Sequence, residues 1–241
     1  MTAVDVIPPD LRPGRQKRQV LVDGVYDTLL TFLMSGTLSP GAPVGIDSLS
    51  RSLEVSPTPI REALARIEAT GLVVREPLRG YRVAPRMSAQ DLKQIMEARL
   101  LIEPYNAAAA CSHGHEGLLS ELSAALLQMR EAPTGPTYRE FREFLWADAH
   151  FHEIIAAHAG NHFLAEALAR LGAHLHRFRL FGGAGVSDAS LTIEEHAAIL
   201  AAMEQGAADR ARKAMKRHLQ GVLDRAMHEQ QGLSANAGRS N

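Results

Sequence analysis

The stretch of sequence that decides the fold is Val55-Ser56-Pro57-Thr58-Pro59-Ile60-Arg61-Glu62-Ala63-Leu64. Ser56 is an N-cap candidate, and the two prolines that follow fall in the first turn of a helix, where a missing N–H costs little. Apolar residues then recur at helical spacing at Ile60, Leu64 and Ile67 and can pack inward. The pattern predicts a short helix that leaves Arg61 and its N-terminal end for contacts outside the core.

A second short amphipathic segment comes directly before this helix. Its apolar residues are spaced for one helical face and its charged residues for the other: Ile46, Leu49 and Leu53 inward, Asp47 and Arg51 outward. The two segments, about 46–53 and 57–70, are joined over 54–56. This arrangement is typical of a helix-turn-helix, whose second helix enters the DNA major groove by its N-terminal end.

The flanking residues complete a small domain. A broad apolar stripe over about 19–34 predicts a preceding helix, and two strand-like runs at 72–76 and 81–84 predict a hairpin. A helix-turn-helix followed by a hairpin is a winged helix. Arg79 at the tip of the hairpin is placed to reach the minor groove or a phosphate. Gly80 permits a positive φ or a close approach to DNA, and a plain turn glycine is an equal alternative.

Everything after the linker at 85–87 is helical in pattern, with Pro104 inside the first helix and expected to kink it. The predicted fold class is mainly α: an N-terminal winged helix-turn-helix plus a C-terminal all-α bundle of six or seven helices. The predicted organisation is a disordered arm over 1–17, a winged helix-turn-helix DNA-binding domain over 18–85, a helical ligand-binding and dimerisation domain over 88–230, and a flexible tail over 231–241.

Composition bounds the function. The net charge of -1 argues against a uniformly basic nucleic-acid coat, but the arginines between 61 and 86 can form a local surface for phosphate. The single cysteine excludes internal disulfides and a multi-cysteine zinc site. No signal-peptide pattern opens the chain, and no apolar run approaches the ~20 residues of a membrane span. We therefore expect a cytoplasmic protein that does not engage a membrane.

The helical part carries most of the 11 histidines. Asp148 and His152 are four residues apart and project from the same helical face. His196 and His218 lie on two later helices and can converge with them inside a bundle. Three imidazoles and one carboxylate suit zinc, nickel, manganese or iron. Surface or hydrogen-bonded core histidines remain the ordinary alternative, because spacing alone does not distinguish them.

Two sets of motifs carry a resemblance to a known family. The N-terminal part resembles the GntR family of bacterial regulators, and the helical remainder is similar to the FCD ligand-binding domain of the FadR subfamily. The N-terminal motifs are Gly36-Thr37-Leu38-Ser39-Pro40-Gly41, the run from Leu49 to Leu64, Leu72-Val73 and Gly80-Tyr81-Arg82-Val83. The helical ones are the run from Glu97 to Pro104, Asp148-Ala149-His150-Phe151-His152, His196 and His218.

The resemblance implies roles for the DNA-binding half. Arg61 would be the main base-reading or phosphate-contacting arginine, since a guanidinium can read guanine bidentately in the major groove. Ser56 and Thr58 would support it on the DNA backbone, and Arg79 with Gly80 would form the wing contact. Many relatives carry an arginine where this chain has Pro57, so one base contact of the family is in doubt here.

The resemblance also implies a metal and a ligand in the helical half. Asp148, His152, His196 and His218 would bind a divalent metal ion, with zinc the first choice and nickel, manganese or iron the alternatives. Arg99 would pair with a ligand carboxylate in the same cavity; an ion pair with Glu103 at i+4 is its alternative. The pocket-lining role of Asn161 competes with a helix N-cap. His174 is a further candidate neighbour of the metal.

The function implied is that of a homodimeric DNA-binding transcriptional regulator, a repressor, on a palindromic double-stranded operator. Its effector would be a small organic or sugar acid bound at the metal site. Two other functions stay open: a direct metal sensor, in which the metal is itself the signal, and a metal-dependent enzyme with an attached DNA-binding domain. No separate general base or nucleophile accompanies the cluster, so we expect no enzymatic activity.

Overall fold

The structure, a computed structural model, describes residues 15–85, 87–114, 116–179 and 186–237. The chain divides into two compact units, residues 1–85 and residues 86–241. Each unit has a hydrophobic core of its own.

The first unit contains three helices, α1 (Arg15–Met34), α2 (Ile46–Leu53) and α3 (Pro57–Ala69), and three short strands, β1 (Pro43–Val44), β2 (Val73–Glu76) and β3 (Gly80–Val83). The strands form one antiparallel sheet in the order β1-β3-β2. The helix-turn-helix and the hairpin are thus both present.

The structure corrects the predicted start of α1. The helix begins at Arg15 rather than near Gln19, so residues 15–17 of the predicted disordered arm are helical. Arg, Gln and Lys are good helix formers, and extending an existing helix adds one hydrogen bond per residue fixed. The rest of the predicted arm, residues 1–14, lies outside the described residues.

Strand β1 is a second correction, because the sequence predicts strands only at 72–76 and 81–84. Val44 is buried and pairs with Tyr81 of β3, while Pro43 pairs with Arg82. A proline is tolerated on an edge strand, where its missing N–H breaks no ladder. Two residues are too few to leave a period-2 pattern, so periodicity could not find this strand.

The core of the first unit fixes the orientation of α3. Ile60, Leu64 and Ile67 are fully buried, and α3 packs against α1, whose Leu29 and Leu33 are buried as well. At ~25 cal/mol per Å² of apolar area removed from water, each such side chain contributes about 1.5–3 kcal/mol. Burying this stripe turns the opposite side and the N-terminal end of α3 toward solvent.

The hairpin that joins β2 and β3 turns tightly. The Arg79 N–H donates to the Glu76 carbonyl at 3.1 Å, with Pro77 at the second position of the turn. Leu78 has φ +64° and Gly80 has φ +85°. A Cβ added at Gly80 would meet nothing within 4 Å, so the backbone conformation and not a close neighbour requires glycine here.

In the described residues of the second unit, all regular secondary structure is helical. The helices are α4 (Ala89–His113), α5 (Leu118–Glu131), α6 (Tyr138–His158), α7 (His162–Arg179), α8 (Ala189–Glu204) and α9 (Ala208–Ala237). The predicted fold class is confirmed. None of the helices in the described ranges is long and apolar enough to cross a membrane.

Two details of these helices bear on the predictions. Helix α4 begins with a capping box, in which the Asp91 N–H donates to Ser88 Oγ and the Ser88 N–H donates to the Asp91 carboxylate, both at 3.0 Å. It then continues unbroken through Pro104.

Helix α9 continues to Ala237, seven residues into the predicted flexible tail. The alanines and Leu233 favour helix, and propagation offsets the roughly 1 kcal/mol that Gly232 costs.

Candidate functional site

The N-terminal end of α3 presents polar residues to solvent. Ser56, Thr58 and Arg61 are all exposed, in contrast to the buried apolar stripe of the same helix. Ser56 occupies the N-cap position but makes no side-chain capping bond. A capping hydroxyl bonds the N–H of the second or third helical residue, and the third, Pro59, has none. This end of α3 can therefore offer the Ser56 hydroxyl and the Thr58 side chain to an external group.

The arginines of the first unit have different surroundings. Arg66 Nη1 lies 2.6 Å from Asp23 Oδ1, and its Cζ lies 4.3 Å from the centre of the Tyr26 ring. Arg82 donates through Nε to Glu76 Oε2 at 2.8 Å. Arg61 and Arg79 are exposed on the helix and the wing. The structure thus uses Arg66 and Arg82 within the fold and leaves Arg61 and Arg79 at the surface.

In the second unit, three helices bring three histidines together. His152 of α6, His196 of α8 and His218 of α9 are at most 5% exposed. One nitrogen from each lies within 4.8 Å of the other two. Nε2 of His152 and Nε2 of His196 are 3.2 Å apart. Their ring centroids lie 4.5–5.2 Å apart.

The second nitrogen of each ring faces an acceptor outside the cluster. His196 Nδ1 donates to the Thr192 carbonyl at 2.7 Å, and His218 Nδ1 donates to Glu195 Oε2 at 2.8 Å. Glu103 Oε2 lies 2.5 Å from His152 Nδ1, close enough for an ion pair although not aligned as a hydrogen bond. For His196 and His218 these acceptors assign the Nδ1–H tautomer and leave Nε2 with its lone pair.

This orientation has a physical consequence. Two neutral imidazoles that present Nε2 lone pairs to each other at 3.2 Å repel unless a proton or a cation lies between them. Histidines that bind metal ions donate their other N–H to a carboxylate or a carbonyl in the same way. The cluster therefore has the donor set and the supporting acceptors of a metal site.

Asp148 lies one turn before His152 on α6 and is less buried than the histidines. Its Oδ1 lies 3.5 Å from His196 Nε2, and 28% of its side chain is exposed. Asp148 is not part of the group formed by the three histidines, but it lies next to His196. The structure thus places all four predicted metal ligands in one neighbourhood.

Arg99 adopts the alternative arrangement considered from the sequence. It is buried, its Nε donates to Glu103 Oε1 four residues along α4, and its Nη1 lies 3.9 Å from Met96 Sδ. Glu103, in turn, faces His152 with its other oxygen. Arg99 is therefore joined to the cluster through Glu103, a residue that the sequence suggested only as the partner of an ordinary helix ion pair.

Burial and neighbouring charges shift the ionisation of the site. Burial alone would raise the pKa of Glu103, but the Arg99 guanidinium and His152 hold that pKa far below its usual range. Burial, aided by the nearby imidazoles of His218 and His152, lowers the pKa of His196 to about 3. Burial also lowers the pKa of His218. Both histidines are therefore neutral near pH 7, the form that metal binding requires.

A further network supports His218, and sequence reasoning missed it. Arg225 of α9 donates to both oxygens of Glu195 at 2.9 and 3.0 Å, and to Asp188 Oδ2 at 2.7 Å. Burial would raise the pKa of Glu195, but the bonds from His218 and Arg225 lower it to about 2. One feature of the sequence could have indicated Glu195: it directly precedes His196, a candidate metal ligand.

Two further candidates were named from the sequence. Asn161 takes its alternative role as the N-cap of α7, where its Oδ1 accepts from the Leu164 N–H at 3.3 Å. His174 lies in α7, but its side chain is outside the described residues.

Fold and site together define a class of protein: a DNA-binding regulator with a winged helix-turn-helix and a helical domain. Residues 21–83 match the family described as bacterial regulatory proteins, gntR family, and residues 94–221 match the FCD domain. The chain belongs to the GntR family, with an N-terminal GntR helix-turn-helix domain and a C-terminal FCD domain. Members bind DNA operators, generally act as dimers, and are transcriptional regulators rather than enzymes.

Individual relatives agree with this family. The chain is 26% identical over 200 residues to the HTH-type transcriptional repressor RspR of Escherichia coli, covering 83% of this chain and 86% of RspR. It is 28% identical over 215 residues to the HTH-type transcriptional regulator LutR of Bacillus subtilis, covering 80% and 95%. Among solved structures, E. coli McbR/YncC shares the fold with a TM-score of 0.67 at 21% identity, over 87% of this chain and 98% of that one.

Proposed function

We propose that this protein is a transcriptional repressor whose operator affinity is set by a small carboxylate bound at a divalent metal in the helical unit. The proposal places it in the FadR subfamily, as a cytoplasmic homodimer on a palindromic operator. Asp148, His152, His196 and His218 hold the metal, with zinc as the first choice because imidazole-rich sites suit it. Nickel, manganese and iron are the alternatives.

One observation carries the metal. Three buried histidines each bring one nitrogen within 4.8 Å of the other two, with Nε2 of His152 facing Nε2 of His196, while their Nδ1 atoms face Thr192, Glu195 and Glu103. At 3.2 Å the Nε2 atoms of His152 and His196 need a proton or a cation between them, and a buried polar atom left unpaired costs about 1–3 kcal/mol. The Asp148 carboxylate beside His196 adds the negative charge that a divalent ion favours.

The effector follows from the charges around this site. A metal held by three neutral histidines and one carboxylate keeps a positive charge, and it acts as a Lewis acid toward an oxygen ligand. Arg99 lies behind Glu103 and adds a guanidinium whose Nη groups suit a second carboxylate contact. A small organic or sugar acid can supply both the oxygen ligand for the metal and the carboxylate for Arg99. Asn161, which caps α7 through Oδ1, stays a candidate for lining the effector pocket.

The output is the surface formed by Ser56, Thr58, Arg61, Arg79 and Gly80. Arg61 reads a base or grips a phosphate, and Arg79 with Gly80 forms the wing contact. A two-fold dimer presents two such surfaces to two half-sites, so we expect a palindromic operator. The acid regulates only by binding one dimer arrangement more tightly than the other.

Operator binding measured with and without a chelator, and with a panel of acids, tests this proposal. Protein purified without chelator is expected to contain about one divalent ion per chain, and one of the acids is expected to shift operator affinity only in the metal-loaded protein. The variants His196→Ala and His218→Ala are expected to lose the metal while Glu194→Ala, exposed on the same helix α8, keeps it.

Other outcomes select the other functions. Release of DNA by chelator alone, with no response to any acid, identifies a direct metal sensor. Turnover of a bound acid identifies an enzyme. Metal-free protein from a purification without chelator contradicts the metal site itself.

A further inference from the structure

Helix α4 carries a buried stripe that changes character in the middle. Its buried residues recur at alternating spacings of four and three, which is one face of a helix: Leu92, Met96, Arg99, Glu103, Asn106 and Ala110. The two ends of the stripe are apolar. The three central positions are polar, and the first two of them, Arg99 and Glu103, are joined to the histidine cluster.

The third, Asn106, is unlike its two neighbours. It is 1% exposed, and neither Oδ1 nor Nδ2 has a hydrogen-bond partner among the described residues. Each unpaired buried polar atom costs about 1–3 kcal/mol, so native proteins carry few of them and keep them for a reason. An alanine or leucine in this stripe would avoid that cost.

The position of Asn106 relates it to the proposed effector site. It follows Glu103 by one helical turn, about 4.5 Å along the axis, and Arg99 by two turns, about 10.5 Å. These residues lie on one face and point into the same bundle interior. A small acid whose carboxylate is held near Arg99 and the histidines, and whose carbon chain lies along this face of α4, would bring its next carbons to Asn106.

We propose that Asn106 is a specificity-determining residue that recognises a hydroxyl group on the carbon chain of the effector, so that the effector is a hydroxycarboxylic acid. This inference rests on the proposed function. The amide needs a partner that donates to Oδ1 and accepts from Nδ2. A hydroxyl does both, whereas a carboxylate only accepts and a methylene does neither.

The same reasoning gives the direction of discrimination. A site built to hydrogen-bond a hydroxyl rejects an analogue that lacks it, because the buried amide then stays unpaired in the complex. A pocket without such a group would prefer the less hydrated deoxy acid. A buried water could also pair with Asn106, and the test separates this role from recognition of the effector.

The experiment uses full-length, metal-loaded protein and three pairs of acids that differ in hydroxyl content: lactate and propionate, malate and succinate, gluconate and hexanoate. Each acid is titrated against protein stability and against operator binding. The variants are Asn106→Leu, which removes the amide, and Asn106→Ser, which restores a donor and an acceptor. Leu92→Met is the control, a volume-conserving change in the same stripe two turns before Arg99. For each variant, the response to an acid is compared with the metal content and the operator affinity of the same variant without acid.

The wild type is expected to favour the hydroxylated member of at least one pair by about tenfold or more in half-effect concentration. Asn106→Leu is expected to abolish that preference through weaker binding of the hydroxylated acid, Asn106→Ser to recover part of it, and Leu92→Met to keep it. If Asn106→Leu unfolds later on heating and keeps the full preference, the amide serves a buried water and the inference is wrong, while the proposed function stands. If no acid acts on the wild type, both the proposed function and this inference fail.

Discussion

Arg61 and Arg66 lie five residues apart on α3 and have opposite environments. Arg61 is exposed near the N-terminal end of the helix. Arg66 is held by Asp23 at 2.6 Å and lies over the Tyr26 ring. One arginine is therefore available to DNA, and the other stabilises the contact between α1 and α3.

Alanine substitution should separate these two roles. Arg61→Ala is expected to abolish specific operator binding with no loss of stability, because its side chain is not used in the fold. Arg66→Ala is expected to lower the free energy of unfolding by at most about 1 kcal/mol, since an exposed ion pair contributes little. Operator titration and thermal unfolding of both variants measure this. Specific binding by Arg61→Ala would refute its role in the recognition helix.

Glu195 links a candidate metal ligand, His218, to Arg225. It accepts from His218 Nδ1 at 2.8 Å, and Arg225 holds both of its oxygens. Such an acceptor fixes the tautomer and the ring orientation of a metal-binding histidine.

Glu195→Ala is therefore expected to weaken zinc binding by about 10- to 100-fold, because His218 loses the acceptor that orients it. Competition with a chromogenic chelator measures the affinity, and Glu194→Ala is the matched control on the same helix. Equal zinc affinity in the two variants would show that Glu195 does not support a metal ligand.

At the scale of elements, α6 carries Asp148 and His152, so its placement matters for the site. Its N-terminal end is held by Glu140, whose carboxylate accepts from the Thr137 N–H at 2.9 Å and from the Thr137 hydroxyl at 2.6 Å. These bonds favour the ionised form and lower the pKa of Glu140 below its ordinary value of 4.5.

The sign of the resulting pH dependence follows from this direction. The folded state binds the proton of Glu140 less tightly than the unfolded state, so the stabilisation is full above the ordinary pKa of 4.5 and is lost as the pH falls through the lowered value. Glu140→Ala is expected to unfold at a lower temperature than wild type at neutral pH, and the difference is expected to shrink in acid. Glu143→Ala, exposed one turn later, is the control. A difference that is constant with pH would mean that ionisation of Glu140 plays no part.

At the scale of the whole molecule, the candidate metal centre joins helices that are far apart in sequence. His152, His196 and His218 come from α6, α8 and α9, and Glu103 comes from α4. A ligand that binds only the folded state stabilises it by mass action, by about 2.7 kcal/mol at a free concentration one hundred times its dissociation constant.

Zinc is therefore expected to slow amide hydrogen exchange in α4, α6, α8 and α9 of the metal-free full chain and to leave α1 to α3 unchanged. His196→Ala is expected to remove this effect in all four helices. Hydrogen exchange followed by mass spectrometry resolves these segments. Protection by zinc that persists in His196→Ala would place the metal elsewhere.

Prediction succeeded where the signal was local. The helix-turn-helix follows from the spacing of Ile60, Leu64 and Ile67 and from the prolines at the start of α3, because these features act within a few residues. It failed at β1, whose two residues become a strand only by pairing with β3. It also placed the end of α9 seven residues too early, since cooperative extension carries a helix past a single unfavourable glycine.

The sequence by itself determined the two-part fold class, the exposed face of α3 and the identity of the four candidate metal ligands, the last through resemblance to a family. Only the tertiary structure decided that His152 and His196, 44 positions apart, meet at 3.2 Å, because helix packing and not periodicity sets such distances. The packing also decided that Arg99 pairs with Glu103, that Arg225 supports Glu195, and that Asn106 is buried with no hydrogen-bond partner in the part of the chain that the structure describes. Each of these depends on burial, and burial is a property of the assembled bundle rather than of any one helix.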